Sequence, residues 1–201
     1  MCYLLVFILI TFFFIHKCVA QFDTTTLNRQ TVYYFLISRD STKNERALNY
    51  ISDSTSSIDP YSLILAGARL YKKGYKDSSI YWLYLGDIRA RFLASLYTQR
   101  SDAALYSSLH QIISEVTRIY AKNNVQTLYK KINQALDFDS LNPLNPVQFL
   151  DTPNDTSQFI PGDEWKQHYN MVRQAYHYLE KEILEKGNSI FEEDPKKIRP
   201  K

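Results

Sequence analysis

The chain has 201 residues, 45% hydrophobic and 22% charged, and 24 Lys and Arg against 21 Asp and Glu leave it at +3. That length suits one domain, or one domain behind a leader. The apolar content argues against a disordered chain, and so small a charge argues against a dedicated nucleic-acid binder. With only 5 glycines, an all-β fold dense in turns is disfavoured, and no run resembles a phosphate-cradling loop.

Tyr3 to Ile15 form a nearly unbroken apolar run, too short to span a bilayer comfortably but suited to the core of a secretory signal. Cys18-Val19-Ala20 places small residues where a signal peptidase reads. Residues 1–20 are therefore predicted to be a signal peptide, and the product to be exported, periplasmic or secreted, with no stable membrane insertion after cleavage. No Lys or Arg precedes the run, so an uncleaved N-terminal anchor is the alternative. Lys17, directly before Cys18, argues against a lipoprotein signal. Both cysteines, Cys2 and Cys18, fall within the leader, so a cleaved chain of 181 residues has no disulfide, no reactive thiol and no cysteine metal site. Such a protein is held by its core alone.

From about residue 28 the apolar spacing is helical almost everywhere. Val32 to Ile37 is the best strand candidate, and an apolar helical turn explains it equally well. Thr42-Lys43-Asn44-Glu45 has the form of a capping box opening a short helix through Ile51, followed by a polar stretch, Ser52 to Ser57. Asp59-Pro60 supplies an N-cap and a first-turn proline for a helix that runs to Lys73 and stops at Gly74. Asp77 starts the next helix, to about Tyr97. A third, Ser101 to about Ala121, carries the stripe Leu105, Leu109, Ile112, Val116 and Ile119; a fourth carries Val125, Leu128, Ile132, Ala135 and Leu136. The period is lost over 137–161, which holds four of the 7 prolines. The cleanest pattern is the last: Trp165, Tyr169, Val172, Tyr176, Leu179 and Ile183. A basic tail, 187–201, ends in Lys196, Lys197, Arg199 and Lys201 and is expected to be flexible. The fold class expected is all-α: a single bundle of about five to seven helices over 21–186, with one long Pro-rich loop at 137–161.

The helices flanking Gly74 to Lys76 must be antiparallel neighbours, and Gly67, Ser79, Gly86 and Ala90 provide small surfaces for close approach. This pair resembles a tetratricopeptide or Sel1-like hairpin, without a second copy that would make a solenoid. Winding the second helix at 100° per residue puts Asp87 and Arg91 on a narrow polar wedge, four apart with the acid first, an arrangement that suits an exposed pair. Arg89 falls among Trp82, Leu85, Leu93 and Leu96. A buried guanidinium without partners would cost about 3–5 kcal/mol, so Arg89 is expected to be partly buried with a partner from another helix. A structural ion pair is the main reading; a snorkelling side chain or a ligand-binding arginine are the alternatives.

The string IYWLYLGDIRARF, together with Pro161-Gly162-Asp163-Glu164-Trp165 opening a long helix, resembles a group of small exported helical bacterial proteins with a WFYxGQLRxR-like segment. Here Asp87 stands where that pattern has glutamine. The resemblance implies a helical family fold and, in its most concrete form, an immunity protein; it transfers no catalytic residue.

His110, His168 and His177 do not form a metal pair within one helix, since His168 and His177 lie nine apart, on opposite sides. No Gly-x-Ser-x-Gly elbow is present. Asp163-Glu164 and Glu192-Glu193-Asp194 read as a helix N-terminus and a solvated tail. No catalytic, cofactor or metal residue is therefore nominated. The 16 tyrosines suit helix seams and interfaces, with Tyr75, Tyr84 and Tyr178 off the stripes and apolar Val147, Phe149, Phe159 and Ile160 in the loop. The leading expectation is a non-enzymatic binding protein with a protein partner and no nucleic acid, its contact residues being Tyr84, Asp87, Arg91, Phe149 and Phe159. A cell-wall hydrolase with a distant carboxylate pair and an envelope scaffold are the alternatives.

Overall fold

In a computed structural model of the chain, the described residues are 27–97, 103–149, 159–187 and 189, with the side chains of 29 and 103–107 left aside. The expected leader 1–20, the centre of the Pro-rich loop, Leu105's side chain and the end of the basic tail lie outside them. The protein is all-α. Six helical segments are described, and apart from an isolated bridge between Tyr97 and Phe159 no strand is present among the described residues. None of the described helices is long and apolar enough to cross a membrane.

Helix α1 (Arg29–Ile37) includes the stretch that was the best strand candidate, and begins at Asn28, whose side chain accepts from the Thr31 amide. Helix α2 (Ser41–Ser54) corrects the expected capping box: Asp40 is the cap and accepts from the amides of Thr42 and Lys43. Asp40 is itself a preferred cap residue one position ahead of the helix. Asn44 lies within the first turn of α2. Its buried amide donates to the carbonyls of Phe35 and Ser38, and Arg69 donates to those of Leu36 and Ser38, so the orphan end of α1 is satisfied from two other helices. A 3₁₀ turn, Thr55–Ser57, follows α2 within the polar stretch Ser52 to Ser57.

Helix α3 (Pro60–Lys72) starts on Asp59, as expected, and Gly74 turns the chain at φ 89° into α4 (Lys76–Leu96). The two run antiparallel and very close. A methyl group at Gly67 would lie 2.7 Å from Leu83, and one at Gly86 would lie 2.8 Å from the Pro60 carbonyl oxygen and 2.9 Å from the Ile64 nitrogen. The small residues therefore permit a backbone approach that any side chain would block.

Helix α5 (Ala103–Leu141) is continuous in hydrogen bonding but leaves helical geometry at Asn124 (φ −138°, ψ 28°). Its ends show how sharply it turns. His110 lies beside Asp87 and Arg91, while Asp139 lies beside Arg89, all within two turns of α4. A straight helix would hold residues 110 and 139 roughly 40 Å apart. The helix therefore folds back, with arm 103–123 antiparallel to α4 and arm 125–141 parallel to it, and the Asn124 amide caps the Tyr120 carbonyl at the bend. The two separate helices expected from the periodicity are these two arms. The second extends to Leu141, five residues into the expected loop. On the first arm the buried positions are Leu109, Ile113, Thr117, Tyr120 and Ala121, whereas Ile119, counted in the stripe, is 45% exposed. On the second arm, Leu128, Ile132, Ala135 and Leu136 are buried as expected.

Helix α6 (Trp165–Lys186) lies antiparallel to α4, Tyr169 meeting Phe92 and Tyr176 meeting Tyr84 edge to face. With α3, both arms of α5 and α6 around it, α4 is buried on almost all sides. A second small core of Phe92, Leu93, Leu96 and Leu144 receives Phe149, Phe159, Ile160 and Trp165, so the described ends of the Pro-rich loop pack onto α4. Because two of the three atoms nearest a methyl group at Gly86 are backbone, Gly86→Ala is expected to destabilise the bundle by about 1–3 kcal/mol. Exposed Gly162, with nothing near it, is the control for the same thermal melt and should change little when replaced by Ala.

Candidate functional site

Two charged clusters sit on opposite sides of α4, because residues 87 and 89 are 200° apart on a helix. The first is built on Arg89, which is 1% exposed. Its Nε donates to Asp139 Oδ1 at 3.0 Å, Nη1 to the Thr55 carbonyl at 2.9 Å and Nη2 to the Asn142 carbonyl at 2.8 Å. The Phe138 ring lies against the guanidinium. Asp139, equally buried, receives the Tyr169 hydroxyl at 2.9 Å, with Arg173 at 3.8 Å. Burial and the neighbouring carboxylate push the Tyr169 phenol up to about 12, so it remains a proton donor to Asp139. The expected partner from another helix is present, and the site is more deeply enclosed than expected. Three segments converge on one side chain: the turn after α2, the second arm of α5 and α6 through Tyr169.

The second cluster corrects the reading of Asp87 and Arg91 as an exposed pair. Asp87 is 2% exposed, and Tyr84, expected on a contact surface, is 4% exposed. The first arm of α5 and α6 close over what the helical wheel leaves as a polar wedge. Asp87 Oδ2 receives the Tyr176 hydroxyl at 2.5 Å and lies 3.3 Å from Arg91 Nε; Oδ1 faces His110 Nδ1 at 3.8 Å. Burial alone would raise the Asp87 carboxyl, but His110, the Arg91 charge and the Tyr176 hydroxyl together outweigh it and hold it below the ordinary carboxylate value. Burial raises the Tyr84 phenol. Arg91 spreads over the Tyr176 ring, and its side chain stays 39% exposed, that of His110 43%.

The other nominated residues behave differently. Phe149 and Phe159 are half-buried against the second core, Phe159 stacking on Tyr97, so they seal the end of α4 before they can offer an outward face. Tyr75 and Tyr178 are exposed, as expected. His177 pairs with the buried Glu180 one turn away. Among the described residues no group of three or more His, Cys, Asp or Glu side chains could hold a metal ion. The sequence pointed to Arg89 but not to Asp139, Tyr169, His110 or Tyr176 as members of these clusters. All four lie on helices other than α4, so no spacing within that helix could announce them.

No protein-family model, curated protein or solved structure matches the chain.

Two outcomes are expected from the clusters. Asp139→Asn leaves a buried guanidinium without its counter-charge and should cost about 3–5 kcal/mol in chemical denaturation, whereas the double change Arg89→Met with Asp139→Leu should recover most of that loss. Asp87 has a lowered carboxyl in the folded state, so its contribution is fully present above the ordinary value of 3.8 and is lost as pH falls through the lower folded value. Asp87→Asn should accordingly flatten the fall of the denaturation midpoint below about pH 4, measured against the unaltered chain.

Proposed function

We propose that the protein is an exported helical binding protein that acts through its surface, most concretely an immunity protein that neutralises an antibacterial toxin by covering it. The observation that carries this reading is where the charge is used. Arg89, Asp139 and Asp87 are spent tying helices together in the interior. Apolar and aromatic groups meanwhile stay exposed on α1 (Tyr34, Ile37) and α6 (Met171, Tyr178, Leu184). Aromatic and methionine side chains on a rigid helical frame are the usual material of interface hot spots. The buried carboxylates Asp87 and Asp139 lie on opposite sides of α4, which gives no support to a hydrolase built on that pair. The resemblance of the α4 segment and of the Pro161–Trp165 helix start to small exported bacterial proteins supports the same direction.

Affinity purification from the native host, with and without co-expression of neighbouring gene products, tests the reading. A stoichiometric protein partner that inhibits growth when produced without this chain is expected. A protein that always elutes as a solitary monomer, with no effect on any neighbouring product, would overturn it.

A further inference from the structure

We infer that the end of the bundle where α1, α2 and α3 meet rests on an anionic phospholipid bilayer, as a peripheral contact of tyrosine, isoleucine and lysine rather than an inserted segment. This goes beyond the binding reading, since it needs no protein partner and leaves α6 to meet one. Side-chain contacts fix the meeting of the three helices. Arg69, near the end of α3, donates to the carbonyls of Leu36 and Ser38 at the end of α1, and Lys73 pairs with Glu45 of α2 at 2.9 Å. Val32 and Leu36 are buried, which turns Tyr33, Tyr34 and Ile37 outward on one face of α1. Tyr34 is 56% exposed and Ile37 46%, while Tyr75, in the turn between α3 and α4, is 62% exposed.

The same end carries an excess of positive charge. Residues 39–46 and 69–77 hold seven Lys and Arg against the three acids Asp40, Glu45 and Asp77, an excess of four in a chain whose net charge is +3. The acids are already engaged within the protein: Asp40 caps α2, Glu45 pairs with Lys73, and Asp77 accepts the Tyr120 hydroxyl at 2.6 Å. Lys43 lies over the Phe35 ring and Lys76 over that of Tyr71, each at 6.0 Å, so both ammonium groups stand beside aromatic surface. The complement of this charge is anionic, and the residue types decide its kind. Protein interfaces are depleted in lysine, and a two-point carboxylate contact is the work of arginine. Lysines around exposed tyrosine and an aliphatic side chain suit the headgroup level of a bilayer. Tyrosine takes an amphipathic position there, and each cation gains from the surface potential without needing a defined partner atom. The convex outer face of α1 can lie on a soft planar surface of that kind.

The test is co-sedimentation of the protein, as its host exports it, with vesicles of phosphatidylcholine alone and of phosphatidylcholine and phosphatidylglycerol in equal parts. The quantity read is the ratio of the two partition coefficients, from which the contribution of a leader kept as an anchor cancels. A ratio of about ten or more at low salt is expected, falling as sodium chloride screens the surface. Lys43→Gln with Lys76→Gln should lower anionic binding about tenfold, and Tyr34→Ser with Ile37→Ser by a similar factor. Lys166→Gln with Lys181→Gln, the same charge change on α6, should leave it within about twofold. All six positions are exposed. Circular dichroism identifies which variants keep their helices; if one pair at the α1 end does not fold, the other carries the comparison. The proposal is overturned if both vesicles bind alike, if salt has no effect, or if the α6 pair matters as much as Lys43 and Lys76. It is also overturned if soluble polyglutamate is bound through the same lysines while vesicles are not, which would assign this end to an acidic protein. Each of these failures leaves the copurification test of the binding reading untouched.

Discussion

A fully buried guanidinium is the constraint around which the bundle is arranged. Arg89 sits where α4 faces the turn after α2 and the second arm of α5, and none of its three hydrogen-bonded nitrogens reaches water. Removing a charge from water is tolerable only when charge and hydrogen bonds are returned in the same place. Asp139 returns the charge. Thr55 and Asn142 return two carbonyls, and both come from chain ends that lack helical partners: the 3₁₀ turn after α2 and the residue just past α5. The arginine thus satisfies the loose ends of two elements while being satisfied by them. That reciprocity fixes how far each element runs and where it stops relative to α4.

The same logic, in milder form, organises the opposite side. Asp87 is covered by the first arm of α5 and by α6, and it gathers Tyr176, Arg91 and His110. One helix therefore carries a buried cation on one face and a buried anion on the other, each matched by different neighbours. The buried residues of α4 lie on nearly every side, so its apolar pattern by itself marks no single inward face. Two opposite charges with distinct partners distinguish the sides, Arg89 facing Asp139 and Asp87 facing Tyr176 and Arg91. The close seam with α3, where Gly67 and Gly86 admit the facing backbone, sets the remaining coordinate.

This arrangement also bears on what the surface can do. Of the residues expected to meet a partner, Tyr84 and Asp87 have gone inside, and Phe149 and Phe159 close the end of the core. Arg91 pairs with the buried Asp87 while its side chain stays 39% exposed.

Local signals in the chain determined most of the elements. Asp59-Pro60 and Gly74 delimit α3 through backbone chemistry that needs no tertiary partner, and the even stripe of α6 follows from the helical period alone. The need for a partner at Arg89 was legible as well, because an arginine in the middle of an apolar arc is a physical contradiction until something resolves it. What resolves it was not legible. Asp139 lies in a stretch where the helical period had faded, and only the return of α5 at Asn124 brings it to Arg89. The burial of Asp87 was hidden for a related reason. A helical wheel knows one helix and assigns every polar wedge to water, whereas the placement of α6 and the first arm of α5 over that wedge is a property of the whole bundle. Periodicity and caps are written within a few residues of where they act; the neighbours that cover a side chain are chosen by packing across the full chain, and that choice belonged to the tertiary structure.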